Sequence, residues 1–445
     1  MSAPSLSTPP RTIPPGYLVP FVLVTSLFAL WGFANDITNP MVAAFKSILL
    51  ISNFESSLVQ AAFYGGYCFM AIPAALIIKR FSYKVGILAG LTLYAVGCLL
   101  FIPSGYLMTF WAFLIAYFVM TCGLSFLETS ANPYILSMGD EATATRRLNL
   151  AQAFNPLGSI TGMLIAKEFI LARLDPADDA ARTSLSESDP AAFAAMQKAD
   201  LGVIIAPYAV LGIVVFFVFL VFAIARLPKV TGEDDRRLNA GATLGRLFKN
   251  KRYLEGVIAQ AFYVGAQIMC WTFIIQYGVN ELGMERAEAQ GYNVIAMVIF
   301  VSSRFLCTYL LHYVSSGRLL AGLAMGGGLL ILATIYLSGM PGLYCLIGVS
   351  ACMSLMFPTI YGIALDGLGD DAKLGSAGLI MAIGGGCLMP PLQGAIMDGT
   401  GALGLSATRV SFFLPMICFV FIAIYGYRTY RYHQVKGGSN ALTKI

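Results

Sequence analysis

Charge is what this chain has least of. Only 11% of its 445 residues are Asp, Glu, Lys or Arg, against 58% hydrophobic, whereas soluble domains carry roughly 25% charged residues. That deficit excludes an ordinary soluble enzyme. Two histidines, His312 and His433, are too few for a His-based metal or catalytic site. The nine cysteines form no C-x-x-C pair and mostly fall in apolar stretches, where they read as small packing residues. There is no basic run interleaved with aromatics to hold nucleic acid. No H-E-x-x-H and no nucleophile–base arrangement is present, and the Gly triplets at 326–328 and 384–386 lack the Lys-Ser/Thr of a P-loop. Neither catalysis, a cofactor nor ATP-driven pumping is expected. The leading MSAPSLSTPPRTIPPG is too polar for a signal peptide and is expected to be a disordered cytosolic tail over 1–16.

What is abundant is apolar length. A helix needs about 20 apolar residues to cross a bilayer. By that ruler twelve spans are expected, at 17–46, 55–78, 84–103, 108–138, 147–172, 201–226, 252–280, 288–313, 318–339, 342–366, 373–397 and 407–430. Lys79, Arg80 and Lys84, then Arg146 and Arg147, fall in loops on one side, as do the basic residues of 227–251 and of the C-terminal tail. The opposite loops are charge-poor or acidic. This bias predicts both termini in the cytoplasm of a bacterial inner membrane. The segment 227–251 is then a cytosolic linker between a six-helix half at 17–226 and another at 252–431, with a cytosolic tail at 432–445. The halves echo one another: around Pro133 and around Pro358, a proline-bearing helix leads to a Gly-Asp turn (Gly139-Asp140, Gly369-Asp370), basic residues and a Gly-bearing helix. Parallel repeats of this kind suit a rocking transporter with its substrate at the seam.

The informative residues are the few polar ones at membrane depth. In WGFANDITNP, Asp36 lies far along the first span with Asn35, Thr38 and Asn39 around it. A carboxylate costs at least about 2.5 kcal/mol there, so it is expected to face a bundle interior, water or a cation. Glu128 and Asn132 are four apart in the fourth span; Asn149, Gln152 and Asn155 recur every third residue in the fifth; the seventh offers Gln260, Gln267 and Trp271. Carboxylates and amides that bond hydroxyls, with an aromatic plate for the apolar ring face, suit a sugar. The first half supplies most of the polar groups. Arg304, inside the eighth span, is expected to bond helix-end carbonyls.

Four stretches, LETSANPY (127–134), RRLNLAQAFN (146–155), FYGGY with IPAALIIKRFSYKVG (63–86) and AQAFYVGAQIMCW (259–271), carry a resemblance that runs over nearly the whole chain. It resembles the fucose–galactose–glucose:proton symporter family of the major facilitator superfamily, and is most similar to the L-fucose/proton branch. The loop motif of the superfamily after the second helix is degenerate, with Ala75 for glycine and Lys79 for the acid. The resemblance implies twelve helices, alternating access and cation-coupled monosaccharide uptake. It also implies that Glu128 binds sugar and takes part in protonation, that Gln152 and Asn155 line the same cavity, and that Trp271 belongs to a family motif. One departure matters. The branch carries its proton-bearing aspartate where this chain has Asn39, and the acid here stands three residues earlier, at Asp36.

The expectation is therefore a cation-coupled symporter importing a hexose or 6-deoxyhexose, not an enzyme, embedded in the bilayer and working as a monomer. Asp36, Thr38, Asn39 and Glu128 are assigned to cation coupling. Asn35, Glu128, Asn132, Gln152, Asn155 and Gln267 are assigned to the sugar hydroxyls and Trp271 to the ring face. The ion is open: Asp36 titrates and carries H+, or stays ionised and holds Na+ with Thr38 and Asn39. Three rivals stand beside this reading. An uncoupled facilitator would dispense with the ion. A proton-coupled exporter would want a broad aromatic cavity with fewer amides. A non-transporting sugar sensor would want an output domain.

Overall fold

The computed structural model describes residues 13–139, 147, 150–152, 154–228, 240–310, 313–368 and 371–442. Ten helices in this range are long and apolar enough to span a membrane. An eleventh span is the pair Lys251–Thr272 and Ile274–Leu282, bent by 42° at its break. Of the remaining one, expected at 147–172, the described residues hold the helix Asn155–Ile165 and then a π-helical turn at Ala166–Ile170. Asn149 also lies outside the described residues.

The main helices of these segments are α1 (Leu18–Thr38), α2 (Asn53–Arg80), α3 (Tyr83–Leu99), α4 (Phe110–Leu136), α5 (Asn155–Ile165) and α6 (Pro190–Ile224). They are followed by α7 (Lys251–Thr272), α8 (Arg286–Leu310), α9 (Ser316–Tyr336), α10 (Met340–Met353), α11 (Leu374–Met397) and α12 (Phe413–Leu442). Their ends follow local chemistry. Ser52 and Glu55 form a reciprocal capping box at the start of α2, with Ser52 Oγ accepting from the Glu55 N–H at 3.0 Å and Glu55 accepting from the Ser52 N–H at 2.9 Å. Pro40 has no N–H to offer, so α1 stops at Thr38 and a new helix runs over Met41–Leu49. Lys84 reaches across from α3 and donates to the last carbonyls of α6, at Ala223 (3.0 Å) and Ala225 (2.8 Å). Arg147, read from sequence as a loop charge, is instead fully buried and donates to the Ile135 carbonyl at the end of α4.

Within the first half α1 packs along α5, and α4 along both α2 and α3; within the second, α9 packs on α12 and α7 on α11. The α1–α5 contact depends on two glycines. A methyl group on Gly32 would strike the Asn155 carbonyl, and one on Gly158 the Ala29 carbonyl. The halves meet along α2 against α11, and α5 against α8.

The acidic segment before α6 departs from expectation. It holds a helix at Asp179–Ser188, and α6 itself starts at Pro190 rather than 201. The alanine-rich AAFAAMQKAD favours helix without needing lipid, and Asp189 caps it through the Ala192 N–H. Arg182, fully buried, holds the loop: it pairs with Asp200 at 2.7 Å and donates to the Asp175 and Ala177 carbonyls. α12 likewise runs on to Leu442, through most of the expected tail.

Candidate functional site

The seam encloses a cavity of about 220 Å³. Pockets for drug-sized ligands run to roughly 300–1,000 Å³, so this one is scaled to a single sugar ring. On α1, Phe28, Trp31 and Asn35 line it, a spacing of three and four that keeps them on one helix face. Tyr64 and Tyr67 of α2, Glu128 of α4, and Gln152 and Asn155 around the start of α5 complete the first half's wall. The second half adds Val264, Gln267 and Ile268 of α7 with Arg304, Phe357 and Ile383. Of the amide and acid groups only Gln267 comes from the second half, in keeping with the asymmetry read from sequence.

The structure thus brings Asn35, Glu128, Gln152, Asn155 and Gln267 to one cavity. Glu128 presents a buried oxygen, Oε2, that has no hydrogen-bond partner among the described residues. An unsatisfied buried acceptor costs about 1–3 kcal/mol, which points to a ligand or proton that fills it. Asn132 stands one layer behind: it accepts from Gln152 Nε2 at 3.3 Å and donates to the Glu128 carbonyl at 3.1 Å. It orients Gln152.

Two assignments are corrected. Trp271, expected to cover the ring face, lies outside the cavity. Its indole N–H donates to Ser350 Oγ at 3.1 Å and its ring meets Phe300 edge-on at 5.0 Å, so it is a packing residue of the second half. Trp31, stacked on Phe28 at 5.3 Å, provides the aromatic wall. The sodium set Asp36, Thr38 and Asn39 is not assembled either. Residues i and i+2 point to different sides of a helix. Thr38 accordingly donates to the Ala34 carbonyl at 2.8 Å and faces Tyr208 of α6, away from Asp36.

Asp36 is enclosed and bonded. Asn39 donates to it at 3.1 Å, and the side chains of Ser159 and Asn35 also reach it. Asn39 in turn accepts from Gln60 Nε2 at 3.0 Å, and Gln60 donates to Thr272 of α7 at the same distance. On the other side Asn35 accepts from the Tyr64 hydroxyl at 3.0 Å, at the cavity wall. A polar chain therefore runs from the cavity through Asp36 to the opposite half. Arg304, expected to be structural, does bond a carbonyl, that of Ser354 at 3.2 Å, yet also lines the cavity.

The seam is tied on the face that carries the α1–α2 loop. Asp398, after α11, accepts from the Asn53 N–H (2.8 Å), Asn53 Nδ2 (2.8 Å) and the Phe54 N–H (2.7 Å). It caps α2 from the other half. Arg286, at the start of α8, pairs with Asp179 at 2.9 Å and also donates to Ser47; Lys46 reaches the same carboxylate at 3.4 Å. Burial would lift the Asp179 carboxyl, but the Ser47 hydroxyl and the Lys46 and Arg286 charges outweigh it and hold the group below its ordinary 3.8.

Sequence reasoning missed Trp31, Tyr64, Tyr67, Gln60 and Ser159. The spacing 28-31-35 on α1, and the row Asn53, Gln60, Tyr64, Tyr67 on α2, were available as helical stripes.

Helices in two packed sets around a polar seam cavity, closed on one face, define a membrane solute transporter. The chain belongs to the Major Facilitator Superfamily, matched over residues 24–386, and within it to the fucose–galactose–glucose:proton symporter family. It is 54% identical to the L-fucose-proton symporter of Haemophilus influenzae over 93% of this chain and 97% of that one. The L-fucose-proton symporter of Escherichia coli is 34% identical, over 92% of each. A superfamily transporter solved in the outward conformation superposes with a TM-score of 0.72 at 34% identity, covering 94% of this chain and 99% of the other.

Proposed function

We propose that this protein imports L-fucose or a closely similar 6-deoxyhexose together with a proton. The observation that carries the reading is the cavity itself: amides of Asn35, Gln152, Asn155 and Gln267 and the Glu128 oxygen, unpartnered among the described residues, surround a ring-sized space with Trp31 as its plate. The relatives' names supply the sugar and the ion. The orientation of Thr38 away from Asp36 favours the proton over sodium.

In this reading the termini and the linker at 227–251 are cytoplasmic, and the tied face is the outer one. The halves at 17–226 and 252–431 rock about the seam, and the state described here is closed outward. Glu128 and the amides bond the sugar hydroxyls. Asp36 takes the proton, and its change of charge alters what Asn39, Gln60 and Thr272 can donate and accept, so occupancy is felt at the seam. A monomer suffices, because both walls come from one chain.

The test is reconstitution in liposomes with labelled L-fucose, D-galactose and D-glucose under a pH gradient, a sodium gradient, or neither. L-Fucose accumulation under the pH gradient alone is the expected result. Accumulation only with sodium overturns the proton assignment, and equilibration under every drive overturns coupling. Accumulation of D-glucose or D-galactose in place of L-fucose overturns the choice of sugar.

A further inference from the structure

Outside the cavity, the seam holds further buried amide atoms that none of the bonds described above uses. Gln60 Oε1, both amide atoms of Gln276, Gln290 Nε2 and Asn293 Oδ1 have no hydrogen-bond partner among the described residues, and all four side chains are at most 3% exposed. Native proteins keep few such atoms, and each one calls for a reason.

Helical register shows which way these residues point. On α8, Arg286 reaches across the seam to Ser47 and Asp179. Gln290 and Asn293 follow it at i+4 and i+7, on the same stripe, and Asn293 donates to Gln290 at 3.2 Å. Thr272, at the end of α7, takes the hydrogen bond from Gln60 of the other half. Gln276 follows four residues later, in the Ile274–Leu282 helix that packs on α8. On α2, Gln60 lies between Asn53, which meets Asp398, and Tyr64, which lines the cavity. Asn293 also donates to the Trp271 carbonyl at 3.3 Å, one residue before Thr272, so Asn293 and Gln290 stand beside the Gln60–Thr272 contact that joins the halves, with Gln276 one turn further along.

We propose that Gln60, Gln276, Gln290 and Asn293 form a second sugar-binding station on the outer side of the seam, shut in this state and exposed when the halves part there. Its ligand class is a polyol: Gln276 offers a donor and an acceptor, Gln290 a donor, and Gln60 and Asn293 acceptors to neighbouring hydroxyls, and none of the four side chains carries a charge to select ions. An incoming sugar meets this station first and then passes Gln60 and Tyr64 to reach Glu128. The station rests on the import reading above and adds an outer contact to it.

The experiment compares labelled L-fucose entry at each face, using right-side-out and everted membrane vesicles. Gln276→Met is the first variant, because Gln276 gives up no described hydrogen bond and its removal leaves the closed state without two unpaired atoms. Gln290→Met is the second. The station predicts that the outer-face KM rises about tenfold, the loss of one hydrogen-bonding amide, while the inner-face KM shifts far less. Equal changes at the two faces, or none at either, overturn the station. A melting temperature in detergent that falls for both variants, with loss of transport at both faces, also overturns it, because the amides are then packing. Absence of uptake by the unmodified protein overturns the import reading itself, and is distinguished by being seen before any substitution.

Discussion

The two carboxylates of the membrane core occupy opposite kinds of surroundings. Asp36 is enclosed by Asn39, Ser159 and Asn35, and through Asn39 is linked to Gln60 and Thr272. Glu128 faces the cavity with one oxygen unpartnered among the described residues. A carboxyl group whose bonds are already made gains little from a sugar hydroxyl, whereas one with an open buried acceptor gains a hydrogen bond it otherwise lacks. The sequence reading gave both residues to cation coupling and Glu128 to the sugar as well. Glu128 is the cavity-facing acid, and Asp36 is the acid bonded toward the seam.

Substitutions can break that separation, and the largest effect is expected at Glu128. Glu128→Gln keeps the shape and exchanges a carboxyl oxygen for an amide donor; sugar affinity, read by titrating the purified protein with L-fucose, falls by about 10–100-fold, the cost of leaving a buried polar group unpaired. Asp36→Asn gives a different phenotype. It abolishes accumulation driven by a pH gradient, while counterflow of labelled L-fucose between equal pools continues, because the cavity wall is intact. If Asp36→Asn accumulates sugar as the parent does, the coupling assignment is wrong.

A smaller effect separates the two tryptophans. Trp31→Ala raises the KM for L-fucose up to about tenfold, as expected for lost aromatic contact. Trp271→Ala lowers the melting temperature in detergent and leaves sugar affinity nearly unchanged, since its indole bonds Ser350 and packs on Phe300. A reversed outcome would restore Trp271 to the site.

The ties of the closed face come next. Asp398→Ala removes an acceptor for three donors and loosens closure by about 1–2 kcal/mol, the range for a lost helix cap. Cysteines placed on either side of that seam and crosslinked across it should report a higher open fraction. Asp179→Asn has a weaker effect, because its carboxylate is 45% exposed and screened by solvent. The pH dependence of this tie follows from its lowered carboxyl. Its contribution is complete above the ordinary carboxylate value and is lost only as pH falls through the lower folded-state value. Crosslinking at this tie should therefore be flat between about pH 5 and 8. A change within that window would show that a different group controls closure.

Much of the molecule was legible from residue order. Apolar runs give the spanning helices, because a bilayer requires continuous internal hydrogen bonding over a fixed length. Pro40 and the Ser52–Glu55 box act within a turn or two, yet the apolar ruler ran from 17 to 46 through the break after Thr38 and began the next span at 55 rather than Asn53. Asn35, Glu128, Gln152, Asn155 and Gln267 stood out because amides and acids are scarce at that depth. The start of α6 did not, since its first turns lie outside the apolar window that the ruler detects.

The sequence alone determined a twelve-span, two-half transporter and the stock of polar groups it holds in the membrane. Only the tertiary structure decided which of them meet. Thr38 and Asp36 are two residues apart and face different helices, while Gln60 and Thr272 are far apart in the chain and share a hydrogen bond. Trp31 rather than Trp271 forms the wall for the same reason. Which face of a helix is free depends on the neighbours that cover the others, and those neighbours come from distant parts of the chain.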